Sequence, residues 1–314
     1  MRIGIDAMGG DYAPKAVVDG VLLAREWVTS EVELVLFGDA AQLEKEFKAK
    51  GENAANYEIV HCSEVITMND HPVSGIAKKP DSSISVGFQH LASGKIDGFA
   101  SAGNTGAMMA GTMTFIKTVP GLVRPAIAAY IPVNETQFNL VLDAGLNSDC
   151  KPEVLVQYGV LGSLYSQYVL GVEKPRVALL NIGAEAEKGN LLAKTTHELM
   201  ASSSDFNFVG NIEGNELFSN KRADVVVCDG FVGNIVLKEA ESFYMIAKKR
   251  GIQDSYLDRF NFEHYGGTPV LGVNAPVIIG HGISNGRAIN SMIRQTGRVI
   301  ASSLCAKFKQ AFHV

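Results

Sequence analysis

The 314-residue sequence lacks the features that mark several classes of protein. Its 28 Lys and Arg stand against 33 Asp and Glu, and this balance disfavours a binder of duplex nucleic acid. The four cysteines are far apart and form no CxxC pair, so the sequence indicates neither a zinc framework nor a disulfide scaffold. No apolar run reaches the roughly 18 residues that a membrane-spanning helix requires. Acidic residues near the N-terminus disfavour a secretory signal peptide, so we expect a cytoplasmic protein with reduced thiols.

The composition is that of a globular protein on the apolar side of the usual range. Hydrophobic residues make up 46% of the chain and charged residues 19%, which excludes a disordered chain. The 32 glycines against 10 prolines indicate many tight turns between strands and helices. Neither a linker nor an internal repeat is apparent. We therefore expect a single domain over residues 1–314.

Short β-rich runs alternate with helical patterns along the whole chain. The predicted strands are 2–6, 32–37, 57–61, 96–100, 126–132, 138–142, 176–181, 206–209, 224–228 and 277–280. Several are apolar without alternation, as in strands of a parallel sheet that helices cover on both faces. The predicted helices are 14–28, 152–170, 190–201, 232–249 and 284–311, the last with Ser284 as N-cap and a bend at Gly297. This order predicts an α/β doubly wound fold.

Two stretches depart from the regular alternation. The strands predicted over 126–142 follow one another with no helix between them, which indicates an antiparallel hairpin. Residues 248–276 mix charged, aromatic and glycine residues, and we expect them to form a short surface excursion.

The candidate functional residues of this chain are concentrated where the predicted strands end. Ligands of open α/β sheets bind beyond the carboxyl ends of the strands. Six such ends carry Gly together with Asn, Asp or Ser, and each alone is most often a turn or a helix cap. Together they predict a glycine-lined cleft for phosphate or a similar oxyanion, because glycine lets backbone amides approach an anion. The candidate binding residues are Asp6, Gly9, Gly10, Asp11, Ser101, Gly103, Asn104, Thr105, Gly106, Asp143, Asn147, Asn181, Gly183, Asn190, Asp229, Gly230, Gly233 and His281.

The motifs of nucleotide and metal enzymes are absent. The chain has no GxGxxG and no GxxxxGK[ST], so a nicotinamide-dependent dehydrogenase and a P-loop kinase are disfavoured. No spacing of metal ligands is apparent, and the acidic residues at strand ends belong to separate loops. We therefore expect neither a metal nor another cofactor.

Five blocks of sequence resemble the bacterial phosphate acyltransferase family, in the order in which that family carries them. They are IDAMGGD at 5–11, SAGNTGA at 101–107, KGN at 188–190, DGFVGN at 229–234 and YGG at 265–267. The resemblance extends from residue 2 to about residue 300. It implies transfer of a fatty acyl group from acyl carrier protein to inorganic phosphate, which gives acyl phosphate for phosphatidic acid and phospholipid synthesis. It also implies a homodimer with a Rossmann-like three-layer α/β/α fold, akin to isopropylmalate dehydrogenase and phosphotransacetylase.

The same resemblance implies the catalytic residues Lys188 and Asn234. Phosphate is itself an anionic nucleophile, so the enzyme must mainly hold it beside the thioester and stabilise the oxyanion that develops. Lys188 would supply the positive charge and Asn234 a hydrogen-bond donor. The alternative interpretations are a solvated surface lysine and a turn or cap asparagine.

The resemblance has one local departure and leaves two other functions open. Many family members have a longer helical excursion after the DGFVGN helix, associated with dimerisation and membrane contact, and residues 249–265 are short here. The resemblance implies a cytoplasmic enzyme, peripheral at the inner face of the membrane, whose product a membrane glycerol-3-phosphate acyltransferase consumes. The alternatives are a phosphotransacylase that uses acyl-coenzyme A and a non-catalytic anion-binding module. For docking an acidic carrier protein, we favour Lys248–Arg250 among the basic clusters.

Overall fold

The computed structural model describes residues 1–219 and 221–312. Its strands are β1 (Arg2–Asp6), β2 (Glu33–Gly38), β3 (Glu58–His61), β4 (Gly98–Ser101), β5 (Ala126–Pro132), β6 (Phe138–Leu142), β7 (Arg176–Leu180), β8 (Asn207–Ile212), β9 (Val225–Val227), β10 (Gly267–Leu271) and β11 (Val277–Gly280). Its α-helices are α1 (Lys15–Ala24), α2 (Ala40–Ala49), α3 (Pro72–Lys78), α4 (Ser83–Ala92), α5 (Thr105–Gly111), α6 (Pro152–Tyr168), α7 (Leu191–Ser202), α8 (Gly230–Lys249), α9 (Ser255–Asp258), α10 (Gly286–Ala301) and α11 (Leu304–Phe312). In these two ranges, no helix has the length and hydropathy needed to cross a membrane.

The chain forms two compact units. The first comprises Met1–Thr118 with Phe262–Cys305, and the second comprises Val119–Asn261 with the residues from Ala306 onward. The prediction of one catalytic domain over 1–314 stays a prediction.

In the first unit, helices cover both faces of a mostly parallel sheet. The strand order is β3-β2-β1-β4-β11-β10, and only β10 runs antiparallel to its neighbour β11. Successive residues of β4 point to opposite faces. Gly98 packs against α10, where an added Cβ would lie 2.9 Å from Ile300 Cδ1, whereas Phe99 packs against Gly87 of α4. The sheet therefore lies between α10 and α4.

The second unit repeats this plan with different helices. Its strand order is β5-β6-β9-β7-β8, with an antiparallel β5/β6 hairpin and parallel pairs thereafter. Val225 of the short strand β9 contacts Gly162 of α6. The next residue, Val226, belongs to the buried cluster that includes Ala240 of α8. The α/β class with a mostly parallel sheet is thus confirmed, and so is the predicted hairpin over 126–142.

The structure differs from the sequence-based expectations near the C-terminus. The helix predicted over 284–311 is divided into α10 and α11, and the break lies at Ser302 and Ser303. The φ of 53° at Ser303 is not helical, so the first helix ends before it. Gly297 lies inside α10, where an added Cβ would be at ordinary contact distance from Ile3, and the predicted bend at this residue stays a prediction. The N-cap of α10 is Asn285, which accepts from Ala288 N, so the prediction of Ser284 as the cap is wrong by one residue.

The predicted surface excursion over 248–276 is wrong for its second half, which is a strand, and stays a prediction for its first half. It contains the short helix α9 and a 3₁₀ turn over Phe262–His264. Its second half is β10, which pairs with β11 and buries Leu271 completely. The apolar side chains of β10 therefore belong to the core of the first unit.

Candidate functional site

Within each unit, three neighbouring strands end at one edge of the sheet. In the first unit these are β1, β4 and β11, which are mutually parallel, and in the second they are β6, β9 and β7. Adjacent strands lie about 4.8 Å apart, so each set of strand ends presents its loops side by side. The predicted binding residues therefore form two groups, one at the sheet edge of each unit.

Asp6 is the buried centre of the first group. Its carboxylate accepts hydrogen bonds from Ser101 Oγ at 2.6 Å and from Met8 N at 3.1 Å. Ser101 Oγ in turn accepts from Gly103 N at 2.9 Å. Burial raises the pKa of Asp6, and the hydrogen bond from Ser101 partly offsets this effect. Asp6 thus connects the ends of β1 and β4 and is almost completely buried.

Glycines let the loop after β1 lie against its neighbours. A Cβ on Gly9 would lie 2.3 Å from Asp6 Oδ2 and 2.7 Å from Gly103 N, which no side chain tolerates. Gly10 has a φ of +103°, which favours glycine. Asp11, which follows it, donates its N–H to Gly282 O at 2.8 Å and leaves its side chain exposed.

The side chain of Asn104 forms its hydrogen bonds with neighbouring backbone groups. Its Oδ1 accepts from Ala107 N at the start of α5, and its Nδ2 is shared among the carbonyl oxygens of Thr67, Met68 and Asp70. Gly106 lies against Pro72, while Thr105 and His281 are exposed, the latter beside the ring of Phe262. The role of Asn104 in this structure is to hold the 67–70 loop.

In the second group, Asp143 is the buried hydrogen-bond acceptor that corresponds to Asp6 in the first group. It is fully buried at the end of β6 and accepts from four donors, which are Ile127 N, Leu146 N, Asn147 N and Asn147 Nδ2. Burial raises the pKa of Asp143, and the amide of Ile127 partly offsets this effect. Asn147 also donates to Pro125 O at 2.8 Å. Both side chains shape the loop after β6.

The DGFVGN block joins this loop to the start of α8. Asp229 caps the 20-residue helix by accepting from Val232 N at 2.9 Å. Gly230 N donates to Asn147 O, and a Cβ on Gly233 would lie 1.9 Å from Asp143 O. These contacts leave Asn234 exposed on α8, next to Gly145, whose φ is +124°.

Lys188 lies in the loop that leads from β7 to α7. Its backbone N–H donates to Glu185 O at 3.2 Å, and its carbonyl accepts from Asn181 Nδ2 at 3.1 Å. A Cβ on Gly183 would lie 2.8 Å from Lys188 Cγ, so the lysine stem rests on this glycine. Asn190 caps α7 by accepting from Ala193 N. The exposed ammonium group of Lys188 forms no ion pair within the residues that the structure describes.

The second group thus presents one cation and one amide on adjacent strand ends. β7 and β9 are neighbours and parallel, so the loop of Lys188 and the helix start of Asn234 lie at the same edge. Neither strand end offers an activated nucleophile, because burial and the nearby Asp229 carboxylate raise the pKa of the Cys228 thiol well above its usual range. This arrangement can bind and polarise an anionic or carbonyl-containing ligand.

No metal centre is apparent in the part of the chain that the structure describes. Its His, Cys, Asp and Glu side chains form no group of three or more that could hold a metal ion. The expectation of a reaction without metal or cofactor stays a prediction.

Two residues of this site were missed by sequence reasoning. Asn211 on β8 donates to Glu185 O at 2.8 Å, and His197 on α7 contacts Asn211 Oδ1 through Nδ1 at 2.9 Å. A buried asparagine inside a strand belongs to no motif, so no sequence pattern could have found it.

Comparison with known proteins identifies the family of this chain. Residues 1–250 match the model of a family described as "Fatty acid synthesis protein". The chain is 42% identical to a protein named phosphate acyltransferase from Caldicellulosiruptor bescii, over 99% of this chain and 98% of that protein. It is 41% identical to one so named from Thermoanaerobacterium thermosaccharolyticum, over 96% and 93%. This chain belongs to the phosphate acyltransferase family. It is an acyltransferase, and the predicted resemblance to this family is confirmed.

Solved structures confirm the fold of this family member. A phosphotransacetylase from Streptococcus pyogenes superposes with a TM-score of 0.68 at 17% identity, covering 95% of this chain and 94% of that one. A branched-chain phosphotransacylase from Enterococcus faecalis V583 gives 0.63 at 15% identity, covering 96% and 99%. A 4-hydroxythreonine-4-phosphate dehydrogenase from Klebsiella pneumoniae gives 0.56 at 12% identity, covering 96% and 98%. The fold is thus shared with phosphotransacylases and with a dehydrogenase.

Proposed function

We propose that this phosphate acyltransferase moves a fatty acyl group from acyl carrier protein to inorganic phosphate and releases acyl phosphate and the free carrier thiol. Membership of the family supports acyl transfer, and the resemblance of the five sequence blocks supports the donor and the product. The observation that carries the proposal is the pair of exposed groups, Lys188 and Asn234, at neighbouring strand ends without an activated nucleophile nearby.

The reaction then consists of attack by phosphate and departure of the carrier thiolate. A phosphate oxygen attacks the thioester carbonyl carbon, the carbonyl oxygen becomes an oxyanion, and the C–S bond breaks to release the carrier thiolate, which takes up a proton from solvent. Lys188 Nζ would attract the phosphate and hold it beside the carbonyl. Asn234 Nδ2 would donate to the oxyanion. No acyl-enzyme forms, because phosphate itself is the nucleophile.

Exposed apolar side chains beside these two residues favour a long acyl chain. Phe231 and Ile235 flank Asn234 on α8 and are 61% and 50% exposed, and Ile182 in the loop of Lys188 is 81% exposed. When an apolar ligand covers such side chains, binding becomes more favourable by about 25 cal/mol per Å² of apolar surface removed from water. An acetyl group is too small to cover them, whereas a fatty acyl chain is long enough.

Partners and assembly follow from the same resemblance. The proposal includes a homodimer, a cytoplasmic protein with a peripheral position at the inner membrane face, and delivery of acyl phosphate to a membrane glycerol-3-phosphate acyltransferase. Light scattering of the purified protein tests the dimer, and co-sedimentation with vesicles of anionic phospholipid tests the peripheral position.

Two substitutions test the site. We expect Lys188→Ala and Asn234→Ala each to lower turnover about a hundredfold, since removing one contact to a developing charge costs about 3 kcal/mol. The matched controls are Lys194→Ala on α7 and Glu239→Ala on α8, both exposed and outside the strand ends. The assay follows thiol release from palmitoyl-carrier protein with saturating phosphate. Near wild-type turnover in both site variants would contradict the assignment.

A further inference from the structure

A buried asparagine amide on β8 donates a hydrogen bond to the loop that carries Lys188. The carbonyl oxygen of Glu185 accepts two hydrogen bonds, one from Asn211 Nδ2 at 2.8 Å and one from Lys188 N at 3.2 Å. Asn211 lies on β8, which pairs with β7, and its exposed fraction is 0%. A side chain 23 positions further along the chain thus reaches the same oxygen as the backbone of Lys188.

The chemistry of the contacts fixes the orientation of this amide. A backbone carbonyl can only accept, so the nitrogen of Asn211 faces Glu185 O and its oxygen faces His197. His197 Nδ1 therefore carries the hydrogen and donates it to Asn211 Oδ1. The imidazole is held in turn by the ring of Phe208, with centroids 5.2 Å apart. The order of donation runs from His197 through Asn211 to the Lys188 loop.

We infer that His197 and Asn211 are positioning residues, which set the place of the Lys188 ammonium group without touching substrate. This inference rests on the proposed role of Lys188. Residues 184–188 of the loop are all exposed, and Gly189 has a φ of +91°, which favours glycine. Asn181 restrains the carbonyl of Lys188, and Asn211 restrains the turn before its amide. Without Asn211, Glu185 O loses its only contact from outside the loop within the described residues.

The main test removes the amide and measures turnover. We expect Asn211→Ala to lower kcat by about ten- to a hundredfold, because a misplacement of about 1 Å at a reacting group costs that much. The KM for acyl-carrier protein should stay within about twofold, because the amide is buried below the loop. The matched control is Asn139→Ala, which removes another buried asparagine of this unit that holds a loop through Leu217 O and Ser219 O. It should lower stability but leave kcat per folded enzyme unchanged.

A pair of substitutions at His197 tests the direction of donation. The amide nitrogen of an asparagine lies close to the place of Nδ1, whereas that of a glutamine lies closer to Nε2. Both substitutions lose the ring contact with Phe208, so this contribution cancels between them. His197→Asn should therefore retain several-fold more turnover than His197→Gln. Equal turnover in the two variants would overturn the relay through His197.

Two further readouts separate this inference from the proposed function. In a Lys188→Ala background, Asn211→Ala should add less than twofold to the loss, because its effect passes through Lys188. Trypsin should cleave after Lys188 several-fold faster in Asn211→Ala than in wild type or Asn139→Ala. Full turnover in Lys188→Ala would refute the proposed role of that lysine, and trypsin would then decide the loop inference alone. Unchanged cleavage and unchanged kcat in Asn211→Ala would overturn the inference even if Lys188 is essential.

Discussion

Gly233 is the position where a single added methyl group should damage both the fold and the site. It lies in the first turn of α8, where an added Cβ would stand 1.9 Å from the carbonyl oxygen of Asp143. Real Cβ atoms essentially never come within 3.0 Å of a heavy atom, and the neighbour here is backbone rather than a flexible side chain. In Gly233→Ala, either the start of α8 or the loop after β6 must therefore move.

The magnitude follows from two opposing effects. Overpacking of this kind costs about 1–3 kcal/mol, and a clash with backbone belongs at the upper end of that range. Alanine gains up to about 1 kcal/mol over glycine in a helix. The net loss in the free energy of unfolding is then about 2 kcal/mol. For a chain of this length, an unfolding entropy of about 2.1 cal/mol/K per residue converts this loss to a fall in Tm of about 3 °C.

The loss of activity should exceed what this destabilisation explains. Asn234 follows Gly233 directly, so a shift of about 1 Å in the helix start displaces its amide and lowers kcat about a hundredfold. The matched control is Gly214→Ala, where an added Cβ meets no atom within 4 Å. Calorimetry and the thiol-release assay measure both quantities. If Gly233→Ala and Gly214→Ala show the same Tm and the same kcat, the close packing of α8 on Asp143 is refuted.

Three further predictions concern other parts of the molecule. The Lys79 ammonium group and the amide of Thr67 lower the pKa of Asp70 to about 2, so its stabilising effect is present above the unfolded pKa of about 3.9 and is lost as pH falls to about 2. Urea midpoints of Asp70→Asn should therefore lie below wild type at pH 7 and converge with it toward pH 2; a constant gap would contradict this. Ser303→Gly should raise the free energy of unfolding by about 1 kcal/mol in urea titrations, because φ at Ser303 is 53°, and a lowered value would contradict it. Reversing Lys248–Arg250 to Glu should raise the KM for acyl-carrier protein far more than that for phosphate, and an unchanged carrier KM at low salt would place docking elsewhere.

The fold could be predicted where the sequence pattern is local. β1, β5, β6 and β11 have the predicted bounds, because each is a short apolar run that ends at a turn. α3 was missed because its seven residues are too few to show a helical period. β10 was missed because Gly266, Gly267 and Pro269 are typical of a turn, and its pairing with the distant residues of β11 could not be read from the local sequence.

The site shows the same division between local and distant effects. Lys188 and Asn234 lie in sequence blocks that resemble a family, so they could be named before any contact was known. The sequence blocks could not show that the side chains of Asp6, Asn104 and Asp143 form hydrogen bonds with other segments of the chain. Choosing Asn285 over Ser284 as a cap also depends on backbone geometry, since both residue types are good caps.

Acyl transfer to phosphate gives two products, and both can be followed in one reaction. Palmitoyl-carrier protein is incubated with the enzyme and radiolabelled inorganic phosphate, and labelled acyl phosphate and free carrier thiol are quantified together. We expect equal amounts of the two products, none of either without phosphate, and much slower release from palmitoyl-coenzyme A. Thiol release that continues without phosphate, or turnover with the coenzyme A thioester alone, would contradict the proposed function.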